Sequence, residues 1–165
     1  LPLRHFLSRG EAEVKISEFV DPQAIKIELE SADKETVLRE LVALAAETGK
    51  ISDELAILKA VRERENLCST GFENGAAIPH PRQGHPEIVK ELVAVFGRST
   101  EGIEFEALDE KPVHLFFLLC APTDSEHLRA LAKLSRFLKK EPVRERLLKA
   151  KTAEDIMAVI KDDES

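Results

Sequence analysis

The spacing of apolar positions changes several times along the chain, and each change marks an element. Ile25 to Leu29 (IKIEL) alternates apolar and polar residues, as a half-buried strand does. In the stretch that follows, Val37, Leu38, Leu41, Val42, Leu44 and Ala45 fall on one side of a helix. Ser31 or Asp33 suits its N-cap, and Gly49 suits its end. Ser52 opens a second helix that runs to Glu65. Glu91–Ser99 (ELVAVFGRS) and Val113–Ala121 (VHLFFLLCA) are continuous apolar runs, which read as strands buried on both faces. GIEFEALDEKP between them reads as a polar connection with a short hairpin edge. After Pro122 the period is helical again. Asp124 or Ser125 is the predicted cap, and Leu128, Leu131, Leu134, Phe137 and Leu138 form the inward face. Pro142 suits the first turn of a further helix, and Thr152 caps a last one over AEDIMAVIK. Strands interleaved with helices, with more helices gathered at the end, predict an α/β fold. The expected architecture is a three-layer α/β/α sandwich, a central mixed sheet flanked by helices on both faces.

Composition narrows the function more than the fold. The chain has 165 residues, 43% of them hydrophobic and 33% charged in interspersed signs, so it can bury a core and is not wholly disordered. A net charge of -7 argues against a nucleic-acid module, which carries a basic face. It leaves room for docking on a basic protein partner. The two cysteines, Cys68 and Cys120, are far apart and in no C-x-x-C spacing, so both are expected as reduced thiols. The longest apolar run, Leu115 to Ala121, has the length of a strand and falls short of a membrane span. LPLRHFLSRG lacks the apolar core of a signal peptide, and a cytoplasmic location is expected. The first residue is Leu rather than Met, which fits a trimmed chain or part of a longer one. Residues 1–15 read as a tail or linker.

The stretch GFENGAAIPHPR, residues 71–82, holds the candidate chemistry. Small residues lead through Ile78 to His80, which stands between Pro79 and Pro81. Pro81 pushes His80 toward an extended backbone, and Pro79 fixes its own φ and donates no hydrogen bond. Such a site suits a fixed, solvent-reachable imidazole. A proline-rich turn with an incidental histidine fits the same residues, because Pro and Gly mark turns generally. Of the other histidines, His5 lies in the tail, His85 in a turn, His114 at the start of a buried strand and His127 in the first turn of a helix. Each has a plain structural reading at that place. His80 and His85 are spaced as H-x4-H without the Glu of a helical zinc motif, so a metal site is not required. Cys120 lies in an apolar run where thiols are inert, and Cys68 has no evident partner for nucleophilic work.

The segment RERENLCSTGFENGAAIPHPR resembles the signature of the type-2 enzyme IIA domains of the bacterial phosphoenolpyruvate-dependent phosphotransferase system, the fructose, mannitol and nitrogen-regulatory IIA class. The matching residues are Arg64 and Glu65, Ser69 to Gly71, Asn74 and Gly75, and Ala77 to His80; FEALDEKPVHLFFLLCAPTDSEHLRAL resembles the family downstream. The likeness runs over nearly the whole chain and implies a IIA domain over residues 16–163. It departs at Pro81, where many members carry a small residue, and at Ala76, where a larger aliphatic is common. The resemblance implies that His80 is phosphorylated, with Arg64 and His127 around it, and that no organic cofactor takes part. The implied phosphoryl donor is the small carrier HPr or its nitrogen-branch counterpart. The implied acceptor is a IIB component, or, in a regulatory member, a transporter, kinase or regulator whose binding is switched. Phe72 is a candidate for an apolar docking rim, with loop packing as its alternative. Arg64 brings a fork of donors for phosphate oxygens, and His127 brings a further donor at a helix start.

Overall fold

The computed structural model describes residues 14–165. Most of the expected tail, with His5, lies outside them. Among the described residues, six helices accompany a four-stranded mixed sheet. In chain order they are α1 (Ile16–Phe19), β1 (Val20–Lys26), α2 (Lys34–Glu47), α3 (Glu54–Leu67), β2 (Ala76–Ala77), β3 (Val93–Ile103), β4 (Val113–Cys120), α4 (Asp124–Lys139), α5 (Glu141–Lys149) and α6 (Ala153–Glu164). The strand order is β1-β3-β4-β2; β3 and β4 are antiparallel, while β1 and β2 run parallel to their neighbours.

The alternation of β4 shows why the sheet is buried. Leu115, Phe117 and Leu119 enter one core with Ala94 and Phe96 of β3 and with α1, α4, α5 and α6. Phe116, Leu118 and Cys120 enter the other with Val93 and Val95 and with α2 and α3. Both β4 faces therefore need apolar residues, which is what produces its unbroken run. Tilted Phe96–Phe117 rings, 5.0 Å between centroids, pack one core, and edge-on Phe105–Phe116 rings, 5.3 Å apart, pack the other.

Helix ends follow local chemistry. Asp33 and Asp53 cap α2 and α3 by accepting from Thr36 N and Ala56 N. Asp53 thus replaces the expected Ser52. Gly49 beyond α2 takes φ +78°, a conformation that favours glycine. Thr123, not Asp124 or Ser125, caps α4, and Thr152 opens α6 with a capping box completed by Asp155.

Three further expectations are corrected. The first strand is Val20–Lys26 rather than Ile25–Leu29. After Lys26 the chain leaves the ladder: Glu28 accepts from the Thr100 amide, and Leu29 closes over Gly97, where a Cβ would meet Leu29 Cδ2 at 2.5 Å. The connection after β3 is not simply polar. From Ile103, the last residue of β3, burial continues at every second position through Phe105 and Ala107, with the intervening glutamates outward. On α4 the buried face runs through His127, Ala130, Leu134, Phe137 and Leu138, and Leu128 is 65% exposed.

Candidate functional site

His80 follows the short strand β2, whose two alanines are fully buried and pair with Leu115 and Phe116 of β4. Small side chains let this strand lie against the sheet while both its faces are covered. Beyond β2, the Pro79 carbonyl accepts from Leu119 N at 3.0 Å, so the chain stays fixed to β4 up to His80. β4 then ends and turns through Ala121 to Thr123 into α4, which brings His127 to the same end of the sheet. The two rings pack at 5.1 Å between centroids, tilted by 51°. In open parallel sheets this carboxyl end of the strands is where sites form.

His80 is only 6% exposed, so the open imidazole expected from its prolines is nearly closed over. The covering groups come from distant parts of the chain. Its Nδ1 lies 2.6 Å from the Ile78 carbonyl oxygen. A carbonyl only accepts, so the neutral ring carries its proton on Nδ1 and leaves a lone pair on Nε2. Burial depresses the His80 pKa from 6.5 to about 4; the Ile78 hydrogen bond opposes this, His127 and Arg64 reinforce it, and Glu65 opposes it weakly. The ring is neutral at neutral pH.

His127 is 4% exposed, and its Nδ1 has no hydrogen-bond partner among the described residues. Burial is also the main cause of its lowered pKa, which Asp124 opposes and Arg64 and His85 support. Arg64, in the last turn of α3, is half-buried and donates from Nη1 to the Cys68 carbonyl at 2.6 Å. Its charge acts on both rings. The structure therefore brings His80, His127 and Arg64 together.

The remaining candidates separate. His85 is half-buried beside the site, and its amide donates to the Ala121 carbonyl at 2.9 Å. It is not the plain surface residue that its turn suggested. The preceding Gly84 presses on the start of α4, where a Cβ would meet the Thr123 carbonyl carbon at 2.4 Å; its amide donates to Asp124 Oδ1 at 2.8 Å. Sequence reading passed over this glycine, although RQGHPE contained the signal. His114 lies near the opposite end of β4, with Nδ1 2.9 Å from the Ser99 carbonyl oxygen. Phe72 packs into the core beside α4 and lines a hollow with Glu73, Asn74, Ser135 and Lys139, two turns and more beyond His127. Its packing reading is the one the structure supports. The exposed apolar residues beside the site are Leu67 and Leu128, each 65% exposed. Cys68 is exposed, and burial pushes the Cys120 thiol up to about 12. Among the described residues, no group of three or more His, Cys, Asp or Glu is arranged to hold a metal ion.

A neutral, buried imidazole with one locked nitrogen, a second histidine and a guanidinium thus lie together at one end of the sheet. The model of the phosphoenolpyruvate-dependent sugar phosphotransferase system EIIA 2 family matches residues 18–163. The chain belongs to that family. It is 37% identical over 149 residues to the fructose-specific EIIABC component of Bacillus subtilis, covering 89% of this chain but only 23% of that longer protein. It is 36% identical over 148 residues to a nitrogen regulatory protein of Bradyrhizobium diazoefficiens, covering 88% of this chain and 94% of the relative. Among solved structures, the nitrogen regulatory protein IIA-Ntr of Neisseria meningitidis superposes with TM-score 0.79 at 32% identity, over 88% of this chain and 98% of the other. The mannitol IIA of Escherichia coli, solved in complex with phosphorylated IIB, shares the fold at TM-score 0.71 and 23% identity, over 85% and 95% of the two chains. EIIA relatives are thus split between sugar-specific and nitrogen regulatory proteins.

Proposed function

We propose that this EIIA domain, residues 16–163, is a cytoplasmic phosphocarrier that takes a phosphoryl group on His80 Nε2 and passes it on. The observation that carries the proposal is the hydrogen bond from His80 Nδ1 to the Ile78 carbonyl, within a cluster that includes His127 and Arg64. The donor is phosphorylated HPr or its nitrogen-branch counterpart. The Nε2 lone pair attacks phosphorus, the bond from phosphorus to the donor's imidazole nitrogen breaks, and that nitrogen keeps the electron pair. His80 retains its Nδ1 proton and becomes cationic, so its hydrogen bond to the Ile78 carbonyl strengthens as the transfer proceeds. Arg64 and His127 stabilise the charge on the phosphoryl oxygens. The low pKa of His80 keeps its lone pair available throughout the neutral range. In the second transfer a cysteine thiolate of a IIB component attacks phosphorus, and the pair returns to Nε2. Neither step requires an organic cofactor.

A second reading is carried by the nitrogen regulatory relatives: the same phosphorylation switches binding to a transporter, kinase or regulator. Intact-mass measurement at neutral or alkaline pH tests the chemistry common to both. After mixing with phosphoenolpyruvate, enzyme I and either carrier, the protein gains one phosphate that mild acid removes. His80→Asn gains none; an asparagine amide can still donate to the Ile78 carbonyl, so this variant suits a buried position better than His80→Ala. A full gain in folded His80→Asn, or no gain with either carrier, contradicts the proposal. Transfer onward to a IIB cysteine then separates the sugar role from the regulatory one.

A further inference from the structure

Glu65 is 5% exposed and follows Arg64 in α3, yet its side chain turns inward. Its carboxylate accepts from Thr70 N at 3.0 and 3.1 Å, from Thr70 Oγ1 at 2.6 Å and from Ser69 Oγ at 2.9 Å. Lys34 of α2 balances the charge at 3.1 Å, with its ammonium 4.8 Å from the centre of the Phe105 ring. A buried carboxylate holding this many donors constrains whatever those donors belong to. Here they belong to the segment that runs alongside β2. The Thr70 carbonyl accepts from Ile78 N at 3.2 Å, and Phe72 N donates to the Ala76 carbonyl at 3.0 Å. Ile78 in turn presents the carbonyl that accepts the His80 Nδ1 proton. A continuous path of short contacts thus leads from Glu65 through Thr70 and Ile78 to the imidazole. The same helix end carries Arg64, whose guanidinium donates to the Cys68 carbonyl just before this segment.

We infer that Glu65 is a positioning residue for phosphoryl transfer: through Thr70 it holds the Ile78 carbonyl where it keeps the His80 proton on Nδ1. The inference rests on His80 being the phosphoryl acceptor. Its mechanism is geometric: Lys34 compensates the carboxylate's charge, and the hydrogen bonds to Thr70 and Ser69 fix the segment that pairs with Ile78. Partners directly behind a metal-ligating side chain alter affinity or activity by about 10- to 100-fold when removed; Glu65 acts through two further contacts, so a loss of about 10-fold is expected for Glu65→Gln at saturating donor. A purely structural Glu65 would leave the ring's proton placement unchanged, so the second readout is the nitrogen spectrum of His80 in the unphosphorylated protein.

The experiment compares Glu65→Gln, Thr70→Val and Thr70→Ser in single-turnover phosphorylation and in long-range nitrogen–proton spectra. Glu65→Gln and Thr70→Val should both slow transfer and shift His80 toward a mixture of tautomers. Thr70→Ser, which keeps the hydroxyl, should match the unaltered protein in both. A folded Glu65→Gln with unchanged rate and unchanged His80 nitrogen shifts overturns the inference. Where Glu65→Gln does not fold, the threonine pair decides: equal rates and equal tautomers in Thr70→Val and Thr70→Ser overturn it. A protein that takes no phosphate at all sinks the acceptor reading instead, and the spectra still report whether Glu65 holds the ring.

Discussion

His80 and His114 stand at opposite ends of one sheet and begin from the same arrangement. Each fixes Nδ1 on a backbone carbonyl, His80 on Ile78 at 2.6 Å and His114 on Ser99 at 2.9 Å. They differ in what closes around the ring. At His114 it is Pro112 and the backbone of Gly102, where a Cβ would lie 2.8 Å from the imidazole Cε1. At His80 it is a second imidazole and the field of an arginine, next to the start of a sixteen-residue helix. A locked tautomer is therefore not a site in itself. What distinguishes the His80 end is convergence: β2 leads to His80, the last turn of α3 brings Arg64 and the first turn of α4 brings His127.

The sharpest way to break this comparison is to remove the cation. Arg64→Ala should slow phosphorylation of His80 by about one to three orders of magnitude, the usual loss when one donor to a developing anion is removed. Single-turnover kinetics reads it, and an unchanged rate removes Arg64 from the site.

Acid sharpens the comparison next. His80 titrates at about 4 when folded, below its ordinary 6.5. The unfolded chain therefore binds the proton first as the pH falls. The stability tied to the neutral ring is fully present above about pH 6.5 and is lost as the pH drops through the folded pKa, by on the order of 3 kcal/mol. The lowered His127 pKa acts in the same direction. Denaturant unfolding between about pH 7 and pH 4 should show this loss, with a smaller slope in His80→Asn. An identical slope in the variant would show that His80 is not the group responsible. The smallest effect is expected at the other end: His114→Ala should leave the phosphorylation rate within about twofold, as changes away from a site generally do.

The sequence carried the parts of this arrangement that depend on neighbours in the chain. The apolar runs of β3 and β4 were legible because both their faces are buried, and His80 stood out because two prolines and a run of small residues surround it. Arg64 and His127 were different. Each is an ordinary surface-type residue in its own helix, and only the family resemblance joined them to His80 before the fold brought them together. The burial of His80 was hidden for a related reason, since its cover comes from α4 and from the end of α3. Phe105 and Ala107 were masked by the glutamates that alternate with them, although that alternation was itself the signal. β1 was misplaced because Asp21, Pro22 and Gln23 look like a turn, whereas an edge strand with a register shift between Val20 and Ile25 tolerates them. Leu128 showed how a shift of one residue on a helix exchanges core for rim.

The central claim is that the fold itself selects the reacting nitrogen of His80. Long-range nitrogen–proton spectra of the phosphorylated protein, prepared at alkaline pH, test it directly. Phosphorus coupling at Nε2, with Nδ1 still protonated, is the predicted result. Phosphate on Nδ1, or on any histidine other than His80, would contradict it.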